Sequence, residues 1–235
     1  MTAPDLSLVI PAYNEENRLG VSLETALAYL ARQDFSYEVL VVDDGSADRT
    51  QEVAAEYEDQ GVRVLVQPEN RGKGAAIQRG VGESQGNRVL ISDADFSTPI
   101  EDLEKLNPYL ADHELAIGSR AVKDSNVTLH QPLYRELMGK TFNKLIRLGG
   151  VGGISDTQCG FKLLRGEIAR ELFAIMVTPG FAFDVELIWL AKRKGYRIAE
   201  VGVIWENSED SRVNPLSDPP KMLLEIVRFR LKHRG

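Results

Sequence analysis

The chain has very little cysteine. Cys159 is the single one in 235 residues, so no disulfide can close within it, and a reducing compartment is the expected setting. Its three histidines, His113, His130 and His233, show no metal-ligand spacing, which leaves a zinc site without support. Gly82-Glu83-Ser84-Gln85-Gly86 spells Gly-x-Ser-x-Gly, but it ends an expected helix and precedes a strand, the reverse of a nucleophile elbow, so covalent serine chemistry has no support. Basic residues do not dominate: 28 Lys and Arg against 35 Asp and Glu leave a formal net charge of −7. That balance argues against nucleic acid as a partner. No apolar run approaches the roughly 20 residues of a membrane-spanning helix. The opening MTAPDLSLVIPAYNEE lacks a basic region and is broken at Pro11, so it does not read as a signal peptide. Internal repeats, low-complexity tracts and long linkers are missing too. The expectation is one cytoplasmic domain with a substantial core.

Apolar periodicity carries most of the remaining information. Residues 6–10 form a short apolar run that reads as a buried strand ended by Pro11. Leu19, Leu23, Ala26, Leu27 and Leu30 recur at helical spacing within 17–31. Strands are expected at 37–42, 62–66, 89–91 and 115–117. Helices are expected at 49–59, where Ser46 or Asp48 is positioned to cap, and at 75–83 and 100–110. Strand–helix alternation of this kind predicts an α/β fold, a Rossmann-like and mainly parallel sheet with helices on both faces. The second half is less regular. A basic helix is expected over 132–148, a glycine break over 149–153, helices at 168–173 and 184–194, a strand at 198–205 and a last helix at 221–233. That last helix mixes Met222, Leu223, Ile226, Val227, Phe229 and Leu231 with Lys221, Arg228, Arg230, Lys232 and Arg234, and Arg230 and His233 blur its apolar arc. Docking on the core is favoured for it over lying on an anionic membrane surface.

Ligands in open α/β sheets bind beyond the carboxyl ends of the strands, and three polar clusters sit there. Asp93-Ala94-Asp95 follows the fourth strand. Two carboxylates one residue apart offer hard oxygen ligands to Mg²⁺ or Mn²⁺, whose remaining sphere is completed by substrate phosphates. A capped turn is the competing reading for an isolated Asp-x-Asp, but its place after the fourth strand favours the metal. Asp43-Asp44-Gly45-Ser46 follows the second strand, and Asp44 is the candidate for a base or ribose hydroxyl. Tyr13-Asn14-Glu15 follows the first. Asn70-Arg71-Gly72-Lys73-Gly74 resembles a phosphate loop without being a Walker A motif, and a solvated loop is an equal alternative. Arg120 follows the strand at 115–117, and Arg135 lies on the basic helix with Lys140 and Lys144. An arginine fork suits phosphate oxygens, though a wet helix face accounts for a run of basic residues equally simply. Asp184 and Glu186 open a helix, where a carboxylate can orient substrate, act as a base, or complement the helix dipole.

Val9-Ile10-Pro11-Ala12-Tyr13-Asn14-Glu15-Glu16, Val42-Asp43-Asp44-Gly45-Ser46 and Asp93-Ala94-Asp95, in that order, resemble the family 2 inverting glycosyltransferases, which share the GT-A fold. Asp156-Thr157-Gln158-Cys159-Gly160-Phe161-Lys162 and Phe181-Ala182-Phe183-Asp184-Val185-Glu186-Leu187 are most similar to the polyprenyl-phosphate branch, its dolichyl-phosphate glucosyltransferases in particular. The resemblance runs from about residue 6 to 215. It implies a nucleotide-sugar donor and a polyprenyl-phosphate lipid acceptor. Pro11, Ala12, Tyr13, Glu15 and Asp44 would line the nucleoside pocket, with Arg71 or Lys73 nearby. Asp93, Ala94 and Asp95 would hold the diphosphate through Mg²⁺ or Mn²⁺. Arg120 and Arg135 would grip the acceptor phosphate, Arg212 would close over the site, and Asp184 would orient. Residues 1–118 would form the donor half, 119–218 the acceptor half, and 219–235 a terminal helix that gives a route to peripheral attachment on the cytoplasmic membrane face. The N-terminal membrane anchor of the eukaryotic glucosyltransferases is not expected here. Ser97 stands where polyprenyl-phosphate mannosyltransferases often carry glutamine, which favours UDP-glucose over GDP-mannose. The alternatives are a GDP-mannose enzyme, transfer to a sugar hydroxyl, and a non-catalytic nucleotide-sugar-binding module.

Overall fold

Strand β1 (Leu6–Ala12) is buried along its whole length, as befits an apolar run with neighbours on both edges. β2 (Tyr37–Asp43) and β4 (Arg88–Ile91) flank it in parallel. β3 (Val62–Val66) extends that block, and β5 (Leu115–Ser119) and β8 (Ile198–Gly202) pair in parallel further along. Between the two blocks runs β7 (Lys162–Arg165), antiparallel to both β4 and β5. The seven-stranded order is β3-β2-β1-β4-β7-β5-β8, and β6 (Asn126–Val127) pairs separately with β9 (Ile204–Trp205). The computed structural model describes residues 3–127, 151–206 and 218–234.

Helices cover both faces, and alternation along β1 divides its side chains between them. Leu8 and Ile10 join Leu19, Leu23 and Leu27 of α1 (Leu19–Leu30) and Leu103 and Leu106 of α4 (Leu103–Leu106). Val9 joins Ala76 and Ile77 of α3 (Lys73–Glu83), with residues of α5 (Gly166–Ile175) and α6 (Phe183–Arg193). α2 (Thr50–Ala55) begins where Asp48 Oδ1 accepts the Thr50 amide at 3.0 Å, so Asp48 is the helix-starting carboxylate. A third cluster seats α7 (Asp218–Lys232) through Met222, Ile226 and Phe229 against Val185 and Ile188 of α6.

Several boundaries differ from the sequence expectation, each for a local reason. β1 continues through Pro11 to Ala12. Pairing with β4 stops at Val9, so the missing proline N–H falls where β2 is the one remaining neighbour. Residues 100–110 make a four-residue α-helix between two 3₁₀ turns. The strand expected over 198–205 is two, changing sheets at Val203. β7 is unexpected altogether: four residues beginning with a lysine carry no readable alternation. The helix expected over 132–148, with Arg135, and Arg212 lie outside the described residues, as do Gly149 and Gly150.

Candidate active site

The antiparallel insertion determines what meets at the sheet edge. Lys162, the first residue of β7, pairs with Ile91 at the end of β4 and Ile117 near the end of β5. The segment leading into β7 therefore arrives beside Asp93-Ala94-Asp95. A parallel strand would have sent it to the opposite edge.

Asp93 and Asp95 occupy the turn after β4, tightened by Phe96 in the left-handed region at φ 43° and by a Phe96 amide bond to the Asp93 carbonyl at 3.1 Å. A non-glycine residue held there stores strain, as functional turns often do. Lys73 Nζ approaches Asp93 Oδ1 at 2.5 Å. Burial raises the Asp93 pKa, but the Lys73 ammonium, joined by Lys162 and Arg120, more than reverses this and holds the carboxyl below its ordinary value. Asp95 receives the Ser97 amide on Oδ1 at 3.0 Å and faces Arg18 through Oδ2 at 3.4 Å. Arg18 is itself clamped by Glu15, with both carboxylate oxygens at 2.8 Å.

Each conspicuous residue of the Asp156–Lys162 segment has a partner here. Asp156 takes the Arg120 guanidinium in a two-pronged pair, at 2.6 Å from Nε and 2.9 Å from Nη2. Burial works against the Arg120 charge, and Asp156 outweighs it, so the guanidinium pKa is held up. Arg120 also stacks over Trp205 at 5.3 Å. At Gly160 a Cβ would fall nearer than 3.0 Å to the Asp93 carboxylate, so glycine makes room for that acid. Lys162 reaches Asp184 Oδ1 at 2.5 Å and also contacts the Cys159 carbonyl; both members of the pair are buried. Burial pushes the Asp184 carboxyl up, with Lys162 and Lys73 opposing. Lys73, Asp93, Lys162, Asp184, Arg120 and Asp156 thus alternate in charge across the sheet edge.

The nucleoside-side residues are built on the ends of β1 and β2. Pro11, Ala12 and Glu15 are buried, and Tyr13 is exposed. Asn14 adopts φ 55° and bonds both ways with the Ser46–Ala47 turn, joining two of the polar clusters. Asp44 is buried, and its carboxylate accepts Gln67 Nε2 at 2.6 Å and the amides of Arg71 and Gly72 at 2.8 Å. Desolvation raises its pKa. Asp44 thus shapes the 67–72 loop, while the Arg71 side chain is exposed. The loop glycines face a neighbouring segment of the chain. Gly72, at φ 101°, and Gly74 press against the Pro179–Gly180 backbone, and the Ala75 amide donates to the Pro179 carbonyl at 3.0 Å. They make room for a neighbouring loop. Glu186 faces away from this edge: it accepts the Val177 and Thr178 amides and meets His233.

Sequence reasoning passed over Lys162, Asp156, Gly160 and Arg18 as site residues. Lys162 could not be flagged, because the buried strand it opens carries no readable alternation. Among the described residues no three of His, Cys, Asp or Glu converge. A divalent ion held by Asp93 and Asp95 would therefore complete its sphere from ligand phosphate and water. That division suits Mg²⁺ or Mn²⁺, and the hard carboxylate oxygens, already attracting Lys73 and Arg18, fit it.

Residues 7–173 match Glycosyl transferase family 2. The chain is 39% identical over 244 residues to the dolichyl-phosphate beta-glucosyltransferase of Homo sapiens, covering 97% of this chain and 75% of the relative. It is 32% identical over 251 residues to the Saccharomyces cerevisiae protein of the same name, with 97% and 75% covered. Among solved structures, glucosyl-3-phosphoglycerate synthase from Mycobacterium tuberculosis, in complex with Mn²⁺, uridine-diphosphate and glucosyl-3-phosphoglycerate, matches with a TM-score of 0.70 at 22% identity, over 97% of this chain and 79% of that one. Mannosyl-3-phosphoglycerate synthase from Rubrobacter xylanophilus gives 0.72 at 22% identity, over 99% and 75%. These structural likenesses establish the GT-A architecture. The family match spans well over half of the sequence and the relatives nearly all of it, so this chain belongs to glycosyl transferase family 2.

Proposed function

We propose that the protein transfers glucose from UDP-glucose to the phosphate of a polyprenyl or dolichyl lipid, inverting the anomeric carbon. The observation that carries this is the alternating-charge edge around Asp93: carboxylates for a metal–diphosphate and fixed cations for a second phosphate, brought together by β7. The curated relatives, dolichyl-phosphate beta-glucosyltransferases by name, supply the substrate class.

In this reading Pro11, Ala12, Tyr13, Glu15 and Asp44 line the nucleoside pocket, and Lys73 with Arg71 lies beside the diphosphate. Asp93, Ala94 and Asp95 form the turn that holds it, with Mg²⁺ or Mn²⁺ on the two carboxylates. When bound, that ion supplies positive charge to the leaving nucleoside diphosphate. Arg120, held rigid by Asp156 and Trp205, binds the acceptor phosphate, and Arg135 and Arg212 are assigned to the same group. An acceptor phosphate oxygen attacks the anomeric carbon; the new C–O bond forms as the bond to the diphosphate breaks, and its electron pair leaves with UDP. The acceptor is already anionic near neutral pH, so no proton need be removed. A buried Asp184 paired with Lys162 suits orientation of that group better than general-base work, and the chain's contribution is positioning and charge.

The test is turnover with radiolabelled UDP-glucose, Mn²⁺ and detergent-dispersed dolichyl phosphate. Label should pass into an organic-extractable, acid-labile product. Label that stays in water, or enters an acid-stable glycoside, would contradict the proposal.

A further inference from the structure

α7 has two apolar faces. Met222, Ile226 and Phe229 point into the core, spaced at i, i+4 and i+7. Leu224, Val227 and Leu231 follow their own i, i+3, i+7 spacing on the opposite side, where they are 58%, 55% and 58% exposed; Leu223 beside them is 40% exposed. Other exposed large apolar residues, such as Val21, Tyr109 and Ile175, are scattered over different elements, as is ordinary for a soluble surface. A continuous stripe on one helix is a different matter.

Charge identifies what covers it. Arg228 and Lys232, one turn apart, are exposed along one side of the stripe, and Arg234 is exposed at the end of its other side. The chain as a whole is acidic, at −7, yet its apolar stripe is bordered by cations. The one acid in the middle of the helix, Glu225, turns inward to the Ala182 amide at 3.2 Å. A protein partner with an apolar groove would not require cations on both borders. An anionic lipid surface requires this pattern: apolar side chains sunk to the acyl boundary and cations level with the headgroups. No described helix is long and apolar enough to cross a membrane, so the contact lies along the surface. The position suits a lipid acceptor, because α7 packs beside the segments that carry Asp184 and Gln158.

We infer that the outward face of α7, through Leu224, Val227 and Leu231 with Arg228, Lys232 and Arg234, seats the protein on anionic bilayers. This rests on the lipid-acceptor reading for its purpose but not for its test. The full chain is floated with phosphatidylcholine vesicles containing phosphatidylglycerol, and with phosphatidylcholine alone. It should bind the anionic vesicles and release in high salt, and replacing Arg228, Lys232 and Arg234 by Gln should cost on the order of a hundredfold in affinity. The triple variant Leu224→Gln, Val227→Gln, Leu231→Gln should stop floating while its melting temperature and UDP-glucose binding stay unchanged. Flotation undiminished in either variant would overturn the inference, as would a parent dimer that this apolar triple variant dissociates. Transfer to detergent-dispersed dolichyl phosphate separates the two claims: if it fails while flotation persists, the acceptor reading falls and the lipid-seating face stands.

Discussion

Gly160 sets where Asp93 can lie. A methyl group there would displace the Asp93 carboxylate and loosen its Lys73 contact. Gly160→Ala should lower kcat/KM on the order of a hundredfold, the scale of an ångström-sized misplacement, with the fold kept by circular dichroism; activity near the parent level would refute this role for the glycine. Asp156 gives a second residue-scale expectation. Its carboxyl lies below the ordinary 3.8 because the Arg120 pair overcomes the cost of burial. A depressed folded pKa contributes stability that is present above 3.8 and lost as pH falls through the lower folded value. Asp156→Asn should therefore be less stable near neutrality, by about 1–3 kcal/mol, and the gap in urea denaturation should close in acid below 3.8. A gap that widens in acid would contradict the pairing. At this scale the acidic residues could be picked out as candidates, because their place after the fourth strand favours a ligand role over a capped turn. Their partners were not: nothing local in the sequence says that Arg120 faces Asp156, 36 residues away, or that Arg18 faces Asp95.

Among elements, the loop between α5 and α6 joins the 72–74 loop to the terminal helix. Gly72 and Gly74 press on it from one side, and Glu225 of α7 holds it from the other through the Gly180 and Ala182 amides. Glu225→Leu would leave those amides unpaired in a part-buried site, a cost of about 1–3 kcal/mol. Faster hydrogen exchange at Ala182 is the expected readout, and unchanged exchange would show that the helix does not hold the loop. Parallel strands with continuous apolar runs, β1, β2 and β5, could be read because burial leaves a plain signature, and β3 could be read from its Val and Leu residues although it is an edge strand with Arg63 and Val66 exposed. β7 could not, since its pairing is set by two strands far away in sequence. The terminal helix was read as docking on the core, and it docks. Its outward stripe needed the structure, since one residue string cannot show which of two apolar faces is filled.

For the whole molecule, one reversed strand brings the carboxylates after β4 and the cations Lys162 and Arg120 to a single sheet edge, the arrangement on which the proposed site for two phosphorylated substrates rests. β4 leads into Asp93 and Asp95, β5 ends near Arg120, and β7 starts with the lysine that pairs with Asp184. The most direct test of that arrangement is calorimetric titration of UDP-glucose and GDP-mannose, with and without Mn²⁺, into the parent and Asp95→Asn. UDP-glucose should bind roughly tenfold or more tightly with Mn²⁺ than without, and Asp95→Asn should erase the difference. Equal binding with and without the ion, or binding of GDP-mannose alone, would contradict the account.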